Sequence, residues 1–189
     1  MKFENKVILV VGSASGMGAA TVKMLLEQGA KVVAFDNNEE NMEDFREELS
    51  DEIPDYLDRM DIFMGDVTDK SSREGLLAHV KEQYGKLDSL LYIAGTLDLM
   101  CPAHKTDDEL WDYVMDVNCT SAFKLIRDAL PMLVDHEGPA ANIVIVGSVG
   151  SYLGSSAGAA YITSKHAVVG LAKSLAWTYH WRNLRVNVV

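Results

Sequence analysis

Val7-Ile-Leu-Val-Val11 runs directly into Gly12-Ser-Ala-Ser-Gly16-Met-Gly18, and this junction constrains the fold more than any other stretch of the chain. An unbroken apolar, largely β-branched run predicts a strand buried on both faces. The glycines behind it let the backbone turn sharply and approach a phosphate group closely. A helix starting near Gly16 offers free amides and the positive end of its dipole to a pyrophosphate. The spacing is G-x-x-x-G-x-G, not the G-x-G-x-x-G of the general dinucleotide fingerprint. A glycine-rich turn that serves packing alone is the bland alternative.

The rest of the chain repeats the strand-then-helix alternation. Strands are predicted at 6–11, 31–35, 61–64, 87–93, 142–146 and 184–189. Helices are predicted at 16–28, 39–49, 70–84, 107–134 and 160–181, the fourth bent near Pro131. Gly29 and Gly85 stop the first and third helices at their C′ positions. Ser50 to Arg59 is a polar connection containing Pro54. Six apolar strands separated by helices describe an α/β, Rossmann-like doubly wound parallel sheet with helices on both faces. At 189 residues, one domain over 1–189 is expected. The helix over 160–181 is apolar on nearly all sides, so a subunit interface should cover what the sheet does not.

A hydrophobic content of 48% fits a soluble globular protein, and no apolar run reaches membrane-spanning length. Met1-Lys-Phe-Glu-Asn leads directly into the first strand, which leaves no room for a signal peptide. The formal charge of −11 argues against a nucleic-acid or anionic-membrane surface. Its acidic excess, concentrated between Glu39 and Asp61, reads as a solvated helix and loop. Cys101 and Cys119 form no Cys-x-x-Cys pair and suggest reduced thiols in a cytoplasm. No histidine has a partner at ligand spacing, so no metal is assigned.

Tyr161-Ile-Thr-Ser-Lys165 sets a phenol and an ammonium one helical turn apart on one face. A free phenol titrates near 10, too high for fast proton exchange at neutral pH. An ammonium about 4 Å away, at an effective dielectric near 20, is worth about 4 kcal/mol, or at most ~3 pH units. Lys165 is thus expected to make Tyr161 a usable general acid/base. An ordinary helix pair is the alternative. Asp36, 18 residues after Gly18 at the end of the second strand, stands where a ribose-binding carboxylate is expected. Against a doubly charged 2′-phosphate at about 4 Å, even full water screening gives roughly 2 kcal/mol of repulsion, about thirtyfold discrimination. With no Lys or Arg at 13–15 or 37–38, NAD is expected over NADP. A solvated turn aspartate is the alternative.

With these residues in place, the chain resembles a single-domain short-chain dehydrogenase/reductase over all of its length. Gly12, Gly16 and Gly18 match the family's cofactor glycines, Asp66 of Gly65-Asp66-Val67 the acidic residue at the adenine, and Ala94-Gly95 the second half of Asn-Asn-Ala-Gly. The resemblance implies a catalytic set of Asn118, Ser148, Tyr161 and Lys165. It also implies NAD contacts at Gly12, Ser15, Gly16, Met17, Gly18, Asp36, Asp66, Val67, Ala94, Gly95, Tyr161 and Lys165. Ser148, emerging after the fifth strand, would hydrogen-bond the substrate oxygen. Asn118 would order a water leading from Lys165, with a buried amide that satisfies helix backbone groups as the alternative.

Tyr92-Ile93 departs from the family's two asparagines, and Tyr92 reads equally as a packing aromatic. Beyond Arg185-Val-Asn-Val-Val189 the family continues with a substrate-closing segment and a seventh strand. The 189-residue chain alone is therefore expected to turn over poorly and to leave its sixth strand as an exposed edge. Segments 96–105 and 149–159 should border the substrate, with Leu99, Met100, Tyr152 and Leu153 giving an apolar contribution that would suit a bulky hydrophobic alcohol or ketone such as a hydroxysteroid.

The expected function is an NAD(H)-dependent oxidoreductase interconverting a secondary alcohol and a ketone, cytoplasmic and homodimeric or homotetrameric. A non-catalytic NAD-binding sensor or scaffold is the first rival. A nucleotide-sugar epimerase or dehydratase, which shares Tyr-x-x-x-Lys, is the second.

Overall fold

A computed structural model describes residues 2–53, 55–134 and 138–189. Its six strands are β1 (Val7–Val11), β2 (Lys31–Asp36), β3 (Met60–Met64), β4 (Ser89–Tyr92), β5 (Ala141–Ile145) and β6 (Leu184–Val188). They form one sheet in the order β3-β2-β1-β4-β5-β6, and every pairing is parallel. The order reverses between β1 and β4, so the chain leaves the carboxyl ends of these two neighbours in opposite directions. That geometry opens a crevice beyond the strand ends.

Six α-helices accompany the strands: α1 (Gly16–Glu27), α2 (Glu39–Glu52), α3 (Lys70–Tyr84), α4 (Asp108–Met115), α5 (Ser121–Val134) and α6 (Ala159–Tyr179). β1 is buried along its whole length because its side chains serve two cores alternately. Val7, Leu9 and Val11 pack with residues of α3, α5 and α6, including Leu76, Leu125 and Val168. Ile8 and Val10 pack with α1 and α2 through Val22, Leu26, Phe45 and Leu49. Burying a side chain of this size is worth about 1.5–3 kcal/mol, so these central strands carry much of the stability.

Some boundaries differ from expectation for identifiable reasons. The helix predicted over 107–134 is interrupted by a π-helical turn, Asp116–Thr120, and not at Pro131, which lies inside the last turns of α5. A proline that close to a helix end removes few backbone bonds. α2 runs on to Glu52, and its C-cap Ile53 packs into the same core as Leu49. Tyr56–Asp58 then forms a 3₁₀ turn in the predicted polar connection; Pro54 lies outside the described residues. α6 yields at Tyr179 to a 3₁₀ turn over His180–Arg182. Trp177 of α6 and Trp181 of this turn are 81% and 73% exposed in the single chain.

Candidate active site

The glycine turn is built by close approach. Gly12 has φ +83°, and its amide donates to the Phe35 carbonyl at 2.9 Å, which ties the turn to β2. A Cβ at Gly12 would lie 2.6 Å from the Ala94 amide nitrogen, and one at Gly18 would lie 1.7 Å from the Gly12 carbonyl oxygen. Gly16, with φ +51°, is left-handed in open space. The three glycines therefore answer to two demands: crowding at Gly12 and Gly18, backbone conformation at Gly12 and Gly16. α1 starts at this turn without a side-chain cap from Ser15.

Beside it lies a cleft of about 430 Å³. Gly12, Ser15, Gly16, Met17, Gly18, Asp36, Asp66, Val67, Ala94 and Gly95 all line it. So do Thr96, which the sequence placed at the substrate border, and Asn41 and Tyr113, which the sequence did not mark. Among the described residues, no Lys or Arg does. The Asp36 carboxylate is oriented from its own neighbourhood: one oxygen accepts from the Ala14 amide at 2.9 Å, the other from the Asn38 amide at 3.0 Å. Asp66 is used locally as well, accepting from the Thr68 amide and hydroxyl at 2.7 and 2.8 Å. Buried Arg73 holds the same loop from beneath, donating to the Val67 and Thr68 carbonyls at 2.6 and 2.7 Å.

Asn118, Ser148, Tyr161 and Lys165 do not line the cleft itself. Gly95 links the two regions: a Cβ there would lie 3.3 Å from Asn118 Oδ1 and 3.5 Å from Lys165 Nζ. Any larger residue would fill the point where these two groups converge. Lys165 Nζ is 5.7 Å from the centre of the Tyr161 ring and donates to the Val146 carbonyl at 2.8 Å. Burial pushes its ammonium below the ordinary lysine value. An ammonium has three donors, so Val146 leaves two for other partners. The Tyr161 side chain is partly exposed.

Asn118 sits in the π turn, fully enclosed. Its Oδ1 accepts from the Thr96 amide at 2.7 Å, and its Nδ2 donates to the Thr96 carbonyl at 3.0 Å and to Ser164 Oγ at 2.9 Å. The amide thus bridges the loop after β4 to α6, its backbone partner being Thr96 of that loop and not a helix backbone group. The Tyr92 hydroxyl donates to the Val117 carbonyl at 2.6 Å, anchoring the same turn. It is therefore more than a packing aromatic. Ser148 caps a 3₁₀ turn, Val149–Ser151: its Oγ accepts from the Gly150 amide at 3.0 Å, and its own amide donates to Ser151 Oγ at 3.1 Å. Gly150 in turn abuts Ile162 of α6, since a Cβ there would lie 3.1 Å from Ile162 Cδ1 and 3.4 Å from Ser148 Oγ.

Sequence reasoning missed Asp98. It is completely buried, and its carboxylate accepts from the Gly158 and Tyr161 amides at the start of α6, both at 2.9 Å. The available signal was a charged residue set between Leu97 and Leu99 in an apolar loop. Nothing in the chain pointed to partners 60 and 63 residues away.

The cleft fits a dinucleotide on the chemistry of its lining. It has a turn whose glycines bring the backbone close to where a pyrophosphate would lie, an uncapped helix start, and a fixed carboxylate at the end of β2. Comparison with known proteins agrees. The sequence matches the short chain dehydrogenase family over residues 6–189. It is 33% identical to the short chain dehydrogenase adrF of Penicillium roqueforti, over 97% of this chain and 67% of that protein. It is 32% identical to 3beta-hydroxysteroid dehydrogenase 2 of Eggerthella lenta, over 96% of this chain and 68% of that one. The NADP complex of a Shigella flexneri protein described as a short chain dehydrogenase superposes with a TM-score of 0.89 at 27% identity, covering 99% of this chain and 77% of its own. With the family match spanning nearly every residue from the glycine turn to the last strand, the chain belongs to the short-chain dehydrogenase/reductase family of oxidoreductases.

Proposed function

We propose that the protein interconverts a secondary alcohol and a ketone with NAD(H) as the hydride carrier. The observation that carries this reading is the pairing of Tyr161 with Lys165, its Nζ 5.7 Å from the phenol ring, beside Gly95 at the rim of the cleft. A bound nicotinamide dinucleotide supplies the acceptor or donor of hydride. Everything else is the work of the chain's own residues. Tyr161 exchanges the proton of the substrate hydroxyl, and Lys165 holds positive charge close to the phenol while its remaining donors orient the cofactor's ribose. Ser148 hydrogen-bonds the substrate oxygen and stabilises developing alkoxide charge.

Gly12, Ser15, Gly16, Met17 and Gly18 would cradle the pyrophosphate, Ala94 and Gly95 the nicotinamide side, and Asp66 and Val67 the adenine. NAD is favoured over NADP because Asp36 is held in place by two amides with no basic residue on the cleft lining to offset its charge. The apolar, exposed Leu99, Met100, Tyr152 and Leu153 suit a hydrophobic substrate; a hydroxysteroid fits, and the Eggerthella lenta relative carries that activity in its name. Exposed Trp177 on α6 and Trp181 in the 3₁₀ turn after it suit a homo-oligomer, and two free thiols suit a reducing cytoplasm.

The test is NADH absorbance during incubation with a panel of alcohols that includes hydroxysteroids, run on the protein and on Tyr161→Phe. The variant should bind NADH normally and lose about 10²- to 10⁴-fold in turnover. Turnover that survives the loss of the hydroxyl rejects the assignment.

A further inference from the structure

We propose that Asp98 is a positioning residue for Tyr161, and that it couples the loop carrying Leu99 and Met100 to the orientation of the phenol. The inference rests on the reading of Tyr161 as the proton-exchanging group. The N-cap of α6 is Gly158, which has no side chain with which to cap its own helix. The Asp98 carboxylate takes that role from the connection after β4. Oδ1 accepts from the Gly158 amide at 2.9 Å and the Met100 amide at 3.2 Å, and Oδ2 accepts from the Tyr161 amide at 2.9 Å. The other side of the same tyrosine is held too. Its carbonyl accepts from Ser164 Oγ at 2.8 Å, Ser164 accepts from Asn118, and Asn118 is paired with both backbone groups of Thr96. Thr96 and Asp98 thus grip the backbone of Tyr161 at its carbonyl and at its amide.

The loop is set tightly on the helix start. A Cβ at Gly158 would lie 2.6 Å from Asp98 Oδ2 and 2.3 Å from the Cys101 carbonyl oxygen. The Cys101 amide donates to the Asp98 carbonyl at 3.0 Å, closing the turn. Between them, Leu99 and Met100 have φ of 53° and 59°, a left-handed conformation that L-residues adopt at a cost. Their side chains are 88% and 66% exposed. Pressure on these two side chains from an apolar substrate is transmitted through the Asp98 carboxylate to the amide of Tyr161. Only an acceptor on both oxygens can serve, because an amide side chain would aim its NH₂ at a backbone donor.

The test is Asp98→Asn, with Asp98→Glu beside it. In Asp98→Asn, kcat at saturating substrate should fall about ten- to a hundredfold, the cost of a misplaced reacting group. The solvent isotope effect on kcat should rise as proton transfer becomes limiting, NADH affinity should stay unchanged, and Asp98→Glu should recover part of the rate. A lower melting temperature with unchanged kcat and isotope effect would reduce Asp98 to a helix cap and overturn the proposal. Should Asp98→Asn fail to fold, hydrogen exchange on the unmodified protein decides. Gly158 and Tyr161 amides as slow as those of β1 support the grip, and fast exchange at Tyr161 overturns it. Protected amides together with a fully active Tyr161→Phe would instead remove the catalytic reading while leaving the grip intact.

Discussion

Helices α1 and α6 both start without a side chain of their own to cap them, whereas Asn38, Asp69 and Asp107 cap α2, α3 and α4. A cap is worth about 1 kcal/mol, so leaving two helices without one is a cost that something must offset. At α1 the omission keeps the first-turn amides beside a cleft suited to pyrophosphate, and crowded glycines bring the backbone within reach. At α6 the amides are taken up by a carboxylate from a distant loop, and the residue thereby fixed is Tyr161. One half of the site is made from local backbone geometry, the other from long-range side-chain bonds. They should therefore fail differently: substitutions at the first should cost cofactor affinity, those at the second should cost rate or local order.

The largest expected effect on cofactor affinity is at the glycine turn. Gly18→Ala forces a Cβ against the Gly12 carbonyl oxygen. Overpacking of this kind costs about 1–3 kcal/mol, about five- to a hundred-and-fiftyfold in affinity if the turn shifts away from the phosphates. An NADH fluorescence titration reads it. Gly16→Ala, with open space around it but φ of +51°, should cost only about 1 kcal/mol. Asp36→Asn comes next: removing the charge should move the NAD-to-NADP affinity ratio about thirtyfold towards NADP. Competitive titration with both dinucleotides checks it, and an unmoved ratio places selectivity elsewhere.

A substitution outside both halves serves as the contrast. Asp88, just before β4, is buried and accepts from Lys6 Nζ and the Val7 amide at 2.9 Å, with Lys86 Nζ at 2.8 Å. Burial alone would raise its pKa, but these donors outweigh it and hold the carboxyl below its ordinary value. Because the folded value is the lower one, its stabilisation is complete above the unfolded value, roughly pH 4, and is lost as pH falls through the folded value. Asp88→Asn should lower stability by about 1–3 kcal/mol at neutral pH and flatten the acid limb of the stability curve, with NADH affinity intact. Urea unfolding at several pH values measures both. The smallest effect belongs to Tyr92→Phe, which removes one buried hydrogen bond worth about 1 kcal/mol. It should speed amide exchange across Asp116–Thr120 and leave the cofactor cleft untouched.

Local features of the chain foretold the alternation of strands and helices, since apolar runs and their glycine stops are written in consecutive residues. α3 begins and ends where its sequence implies, closed by Gly85 at φ +67°. The π turn within 116–120 was not visible, because its cause is remote: Tyr92 bonds the Val117 carbonyl, and Asn118 bonds Thr96 and Ser164. A helical hydrophobic period carries no trace of such bonds. Asp98 escaped for the same reason.

The doubly wound sheet, the glycine turn, Asp36 at the end of β2 and the one-turn spacing of Tyr161 and Lys165 are all legible in the order of residues. These depend on steric freedom and periodicity within a few residues. Folding alone brings Lys165 to the Val146 carbonyl, joins two elements through Asn118, and sets a carboxylate from the β4–α4 connection on the start of α6. Such contacts form between residues that share no neighbourhood in the chain. They exist because a buried polar group must find a partner wherever packing has brought one.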